Sequence, residues 1–120
     1  MTKVASVLKS KGSDVWTVSP EHTVFDAIRI MDEKGAGALA VVSQERLAGI
    51  ISERDYARKV ILKGRASKET QVKEVMTSHV YHAVPDDEVA SCMAVMGKHH
   101  IRHMPVLDGD KLVGMISISD

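Results

Sequence analysis

At 120 residues, 44% of them hydrophobic, the chain has apolar material for one compact unit or two very small ones. Its 16 basic and 16 acidic side chains cancel to a net charge of zero, and a pI near 7 argues against a general nucleic-acid binder, which carries a basic stripe. With only Trp16, Phe25, Tyr56 and Tyr81 as aromatic side chains, a stacking platform for single strands is also excluded.

In chain order, the N-terminal stretch MTKVASVLKSKGSD has no apolar h-region, which points to the cytoplasm rather than to secretion. From Val15 a short extended piece, VWTV, runs to Pro20, which ends it. Val24, Ala27, Ile28 and Met31 then recur at i, i+3, i+4 and i+7, the stripe of an amphipathic helix with one buried face. Thr23 or His22 is expected to cap it. Two strand-like runs follow, ALAVV and LAGIIS, joined through SQER as a tight hairpin. These apolar runs are too short to span a membrane. After Asp55 comes YARKVILKG, in which Tyr56, Ala57, Val60 and Ile61 share one helical face and Gly64 stops the helix.

The segment RASKETQVKEVMTSH then connects to a second pass through the same order. VYHAV leads to Pro85, and Val89, Cys92, Met93 and Met96 form the next helical stripe, with Asp86 or Asp87 expected as its cap. MPVL and KLVGMIS are the closing strands, joined by DGD. Sliding the sequence by 65 residues aligns Val15–Asp55 with Val80–Asp120 without a gap, and ten of the 41 positions are identical. The phrase GIISERD at 49–55 thus returns as GMISISD at 114–120. The fold class implied is α+β (α/β-type), a β-α-β-β-α unit used twice. Repeats are expected at 4–65 and 66–120, packed about a pseudo-twofold axis, because a half of about 60 residues buries too little surface to be secure alone. At Asp120 the second copy lacks its closing helix, so either the chain was cut there or something else covers that face.

The Ser-x-x-Asp pairs, Ser52 with Asp55 and Ser117 with Asp120, have two readings. One is a partial capping box that satisfies free N–H groups at a helix start. The other is a nucleotide site: a carboxylate accepts hydrogen bonds from both ribose hydroxyls, while a serine hydroxyl and helix-terminal amides suit phosphate. The recurrence of the pair, and the lack of a helix after Asp120, favour the second reading.

Taken together, the duplicated β-α-β-β-α order and the Gly-h-h-Ser-x-x-Asp closing each copy resemble a tandem pair of cystathionine β-synthase (CBS) domains, over roughly residues 4–120. SERDYARKVILKG resembles stand-alone bacterial members, in which the pair is the whole protein. The resemblance implies a regulatory sensor without chemistry of its own. It implies binding of AMP, ADP, ATP, NAD or S-adenosylmethionine in clefts between the two repeats, no required cofactor, and a homodimer. It also implies that Asp55 and Asp120 hold ribose, with Ser52, Arg54, Ser117 and Ser119 near ribose and phosphate. Lys11 to Val15, Thr77 to Val80, Gly37-Ala38 and Arg102-His103 would line the adenine pockets. Arg102 and His103 are good phosphate anchors and have no charged counterpart in GAGALAV. The two sites should therefore differ, with the more highly charged ligand expected at Asp55.

The alternative is a metal- or redox-responsive interaction domain using His99, His100 and His103 with Cys92. Nothing completes a ligand set around these histidines, since the helix should end near His99 and His103 falls beside a strand. The single cysteine excludes an internal disulfide and, on a helix stripe, reads as a buried thiol in a reducing compartment. A nucleotide hydrolase would need a base beside a nucleophile or a GxxxxGK phosphate loop, and neither pattern is present.

Overall fold

A computed structural model describes residues 1–120, which divide into two compact units. One consists of Trp16–Val80; the other joins Met1–Val15 to Tyr81–Asp120. The N-terminal segment, expected in the first repeat, thus packs with the elements of the second.

The 16–80 unit is built around a three-stranded sheet. Strand β1 (Thr17–Val18) lies parallel to β2 (Ala38–Ser43), and β2 pairs antiparallel with β3 (Arg46–Ser52). Helix α2 (Val24–Lys34) buries Val24, Ala27 and Met31, three of the four residues of the expected stripe. Thr23 is its cap: its side-chain oxygen accepts the Asp26 amide at 3.1 Å. Gly35 ends it in the left-handed region at φ 64°. The turn between β2 and β3 places both Gln44 and Glu45 at positive φ, the type I′ geometry that fits the strand twist.

Helix α3 (Glu53–Lys59) is shorter than expected. The backbone breaks at Val60 and continues as a single 3-10 turn over Ile61–Lys63, closed by Gly64 in the left-handed region. Val60 is buried, but the break turns Ile61 outward, 55% exposed, so it does not share the buried face with Tyr56 and Val60. After a 3-10 turn at Ser67–Glu69, a four-residue helix α4 (Val72–Val75) buries both of its valines. Thr77 then pairs with Ile50 on the free edge of β3, each amide donating to the other's carbonyl.

The other unit repeats the helix and hairpin of the first. Helix α5 (Val89–His99) and the hairpin of β4 (His103–Asp108) and β5 (Lys111–Ser117) have bounds displaced by the same 65 residues, and each hairpin has a register irregularity at the matching place. The first strand is reduced to one parallel bridge, Ala83 with Val106. Neither Asp86 nor Asp87 caps α5. Its N-cap is Glu88, which makes no side-chain cap bond, because the Asp87 carboxylate turns back to accept the Val84 amide at 2.9 Å.

Helix α1 (Val4–Lys11) packs in this unit, with Val4 and Leu8 in the core formed by Cys92, Met96, Met104, Val106 and Ile116. Its mooring matches that of the segment before α4. The Val4 and Ala5 amides donate to Asp87 and Pro85, and Val89 donates to Thr2; likewise Val72 and Lys73 donate to His22 and Pro20, and Val24 donates to Thr70. Each repeat's leading helix therefore completes the core of the other repeat.

Candidate functional site

In each unit the last residues of the hairpin carry the Ser-x-x-Asp pair. In the 16–80 unit Ser52 ends β3 opposite Ala38, and the Glu53 amide donates to the Gly37 carbonyl at 3.1 Å. Gly37, Ala38, Ser52 and Asp55 are therefore brought together. Ser52 and Asp55 form a complete capping box. The Ser52 amide donates to Asp55 Oδ2 at 2.9 Å, the Ser52 hydroxyl lies 3.1 Å from that oxygen, and the Asp55 amide donates to Ser52 Oγ at 3.2 Å. The structural reading of the pair holds here. The Asp55 side chain is 13% exposed, and its Oδ1 faces Lys59 Nζ at 2.9 Å.

The other unit shows the same hydrogen bond. The Ser117 amide donates to Asp120 Oδ2 at 2.7 Å. The Asp120 counter-ion comes from the far end of the chain: Lys11, at the end of α1, places Nζ 2.6 Å from Oδ2. Burial by itself would raise the Asp120 pKa. The Lys11 hydrogen bond, the Ser117 amide and the Lys11 charge outweigh it and hold the carboxyl below its ordinary value. Ser117 Oγ and Ser119 Oγ lie 2.9 Å apart beside it. His103 pairs with Ser117 across the hairpin, and Ile118 donates to the Arg102 carbonyl at 2.9 Å. Lys11, Arg102, His103, Ser117, Ser119 and Asp120 are thus gathered at one end of this unit. Within the units, the basic pair stands at the Asp120 end rather than the Asp55 end.

The remaining expected positions are placed less tellingly. Arg54 is exposed in the first turn of α3, while Val15, Thr77 and Val80 are half-buried. The lysines facing the two acids are the site feature that sequence reading treated lightly. Nothing in the sequence expectations set Lys59 against Asp55, and Lys11 was expected as a pocket-lining residue rather than a counter-ion. The i, i+4 spacing of Asp55 and Lys59 was the available signal for the first; nothing local signals the second.

The histidines are spread over three settings. His99 ends α5 and stacks on Tyr81 at 4.1 Å, His100 caps that helix at φ 55°, and His103 begins β4. No group of three or more His, Cys, Asp or Glu side chains is arranged to hold a metal ion. Cys92 is buried among apolar neighbours, and burial, with the Asp87 charge, pushes its thiol pKa up, away from reactivity. No helix is long and apolar enough to cross a membrane.

Comparison with known proteins agrees with this geometry. The family model described as CBS domain matches residues 4–62 and 72–120. The mitochondrial CBS domain-containing protein CBSX3 of Arabidopsis thaliana is 40% identical over 99% of the chain, and the chain spans 62% of that relative's length. A CBS-domain protein from Burkholderia ambifaria MC40-6, assigned to signal transduction, superposes with a TM-score of 0.94 at 50% identity, over 98% of this chain and 89% of that one. The CBS domain pair of MJ0100, solved with 5′-methylthioadenosine and S-adenosyl-L-methionine, shares the fold with a TM-score of 0.87 at 24% identity, over 99% of this chain and 91% of that one.

Proposed function

The chain belongs to the CBS-domain family as a tandem pair, and from that premise we propose that it is a regulatory module that binds adenosine-containing ligands at its two Ser-x-x-Asp ends. Each carboxylate holds the ribose hydroxyls, and the neighbouring serines and cations take the phosphate. The observation that carries this reading is the repeated serine-amide-to-carboxylate bond. It forms at Ser52 and again at Ser117, so each unit holds a pre-oriented carboxylate at the same place beside the end of its hairpin.

The mechanism is linkage. A ligand shifts the protein between conformations or assembly states only by the difference in its affinity for them. AMP, ADP, ATP and NAD are the proposed ligands, with S-adenosylmethionine a further one, acting in a cytoplasmic homodimer without catalysis. Lys11, Arg102 and His103 make the Asp120 end the better seat for a charged phosphate.

Calorimetric titration with these ligands tests the proposal. Asp55→Ala/Asp120→Ala is expected to abolish binding while the fold, followed by circular dichroism, is retained. Undiminished binding by a folded double variant refutes it.

A further inference from the structure

Lys59 makes two contacts at once. Its Nζ lies 2.9 Å from Asp55 Oδ1 and donates to the Val75 carbonyl at 3.0 Å. It therefore ties the candidate ribose acid to the end of α4. That helix begins a docked segment: Val72 and Val75 are buried, and Met76 and Thr77 fill the space beside Gly49, where an added Cβ would stand 2.7 Å from the Thr77 carbonyl oxygen. The same segment carries the chain into the second repeat.

Counting acceptors makes the tie consequential. A carboxylate offers about four lone-pair directions. At Asp55 the Ser52 amide, the Ser52 hydroxyl and Lys59 take three, so a ribose diol, which needs two, does not fit without a departure. The amide is fixed by the capping box. The ammonium stands on a flexible side chain that is 44% exposed, and water can replace its contacts. At Asp120 the Ser117 amide and Lys11 are engaged, and the Ser117 side chain also bonds the carboxyl.

We propose that Lys59 couples occupancy of the Asp55 site to the docking of segment 72–77: a ligand that takes the Asp55 carboxylate displaces Lys59, which then releases the Val75 carbonyl. The coupling rests on the reading of Asp55 as a ribose acid and adds a regulatory direction to it.

Hydrogen exchange at the Met76 and Thr77 amides of the full chain tests it, because those amides donate to Val72 and Ile50 and report whether the segment is docked. AMP is expected to speed their exchange in the wild type. In Lys59→Met they should exchange about two- to five-fold faster without ligand, with no further response to AMP. Lys59→Gln, which can still donate to the Val75 carbonyl, should stay near the wild-type rate. Adenosine, which has no phosphate for Lys59 to reach, should bind Lys59→Met about two- to five-fold more tightly than wild type, the competitor being gone. Weaker adenosine binding by Lys59→Met overturns the proposal. So does an unresponsive segment in a wild type whose AMP binding is lost in Asp55→Asn; that result leaves the ribose reading standing. Binding indifferent to Asp55→Asn removes the reading and the coupling together.

Discussion

Asp120 and Asp55 are chemically the same group in matched positions, yet their surroundings differ in ways that can be measured. Asp120 takes its cation from Lys11, more than a hundred residues away in sequence, while Asp55 takes its cation from the next helical turn. Because the folded pKa of Asp120 is depressed, its contribution to stability is present above the unfolded carboxylate value near 4 and is lost as pH falls through the lower folded value. Lys11→Met should therefore raise the Asp120 pKa, read by carbon-13 NMR titration, and flatten the loss of stability below about pH 4. A second expectation concerns phosphate. Arg102→Ala should weaken AMP and ATP binding about tenfold while changing adenosine binding little, since a charge-assisted hydrogen bond contributes roughly 1.5 kcal/mol. Equal losses for adenosine and AMP in calorimetry would assign Arg102 a structural role instead.

At the scale of elements, two matched glycines separate backbone crowding from side-chain crowding. A Cβ at Gly49 would meet the Thr77 carbonyl oxygen at 2.7 Å, whereas one at Gly114 would meet Leu8 Cδ2 at 2.7 Å. Leucine can change rotamer; the Thr77 carbonyl is fixed by its bond to Ile50. Gly49→Ala should cost about 2–3 kcal/mol and Gly114→Ala about 1 kcal/mol or less, compared by urea denaturation. The β2–β3 turn offers the opposite change. Gln44 and Glu45 both adopt positive φ without being glycine or asparagine, so Gln44→Asn with Glu45→Gly should stabilise the 16–80 unit by about 1 kcal/mol and raise its melting temperature. The hairpins were readable from their short apolar runs and turn residues. The break at Val60 was not, because Ile61 continues the apolar spacing in sequence while the backbone leaves the α-helix.

For the whole molecule, the exchange of leading helices governs how the repeats are completed. Val4-x-x-Val7-Leu8 and Val72-x-x-Val75-Met76 are a second repeat, offset by 68 residues (72 − 4 = 68) rather than by the 65 of the body. A slide at one fixed period passes over it. A chain beginning at residue 13 should lose the buried Val4 and Leu8 from the core around Met96 and Ile116, together with the Asp120 counter-ion. Deleting large core side chains costs about 2–5 kcal/mol each. Thermal unfolding of the shortened chain is therefore expected well below that of the full chain, and an unchanged melting temperature would deny α1 its structural role.

The order of strands and helices, the duplication, the two hairpins, the buried stripe of α2 and the paired Ser-x-x-Asp ends were all legible in the residues, because periodicity, turn chemistry and capping act over a few neighbouring positions. Two features were settled only by tertiary structure: which core each leading helix joins, and that Lys11 faces Asp120. They depend on contacts between segments distant in sequence, whose energies come from burial and charge pairing once the chain is folded, and no local pattern encodes them.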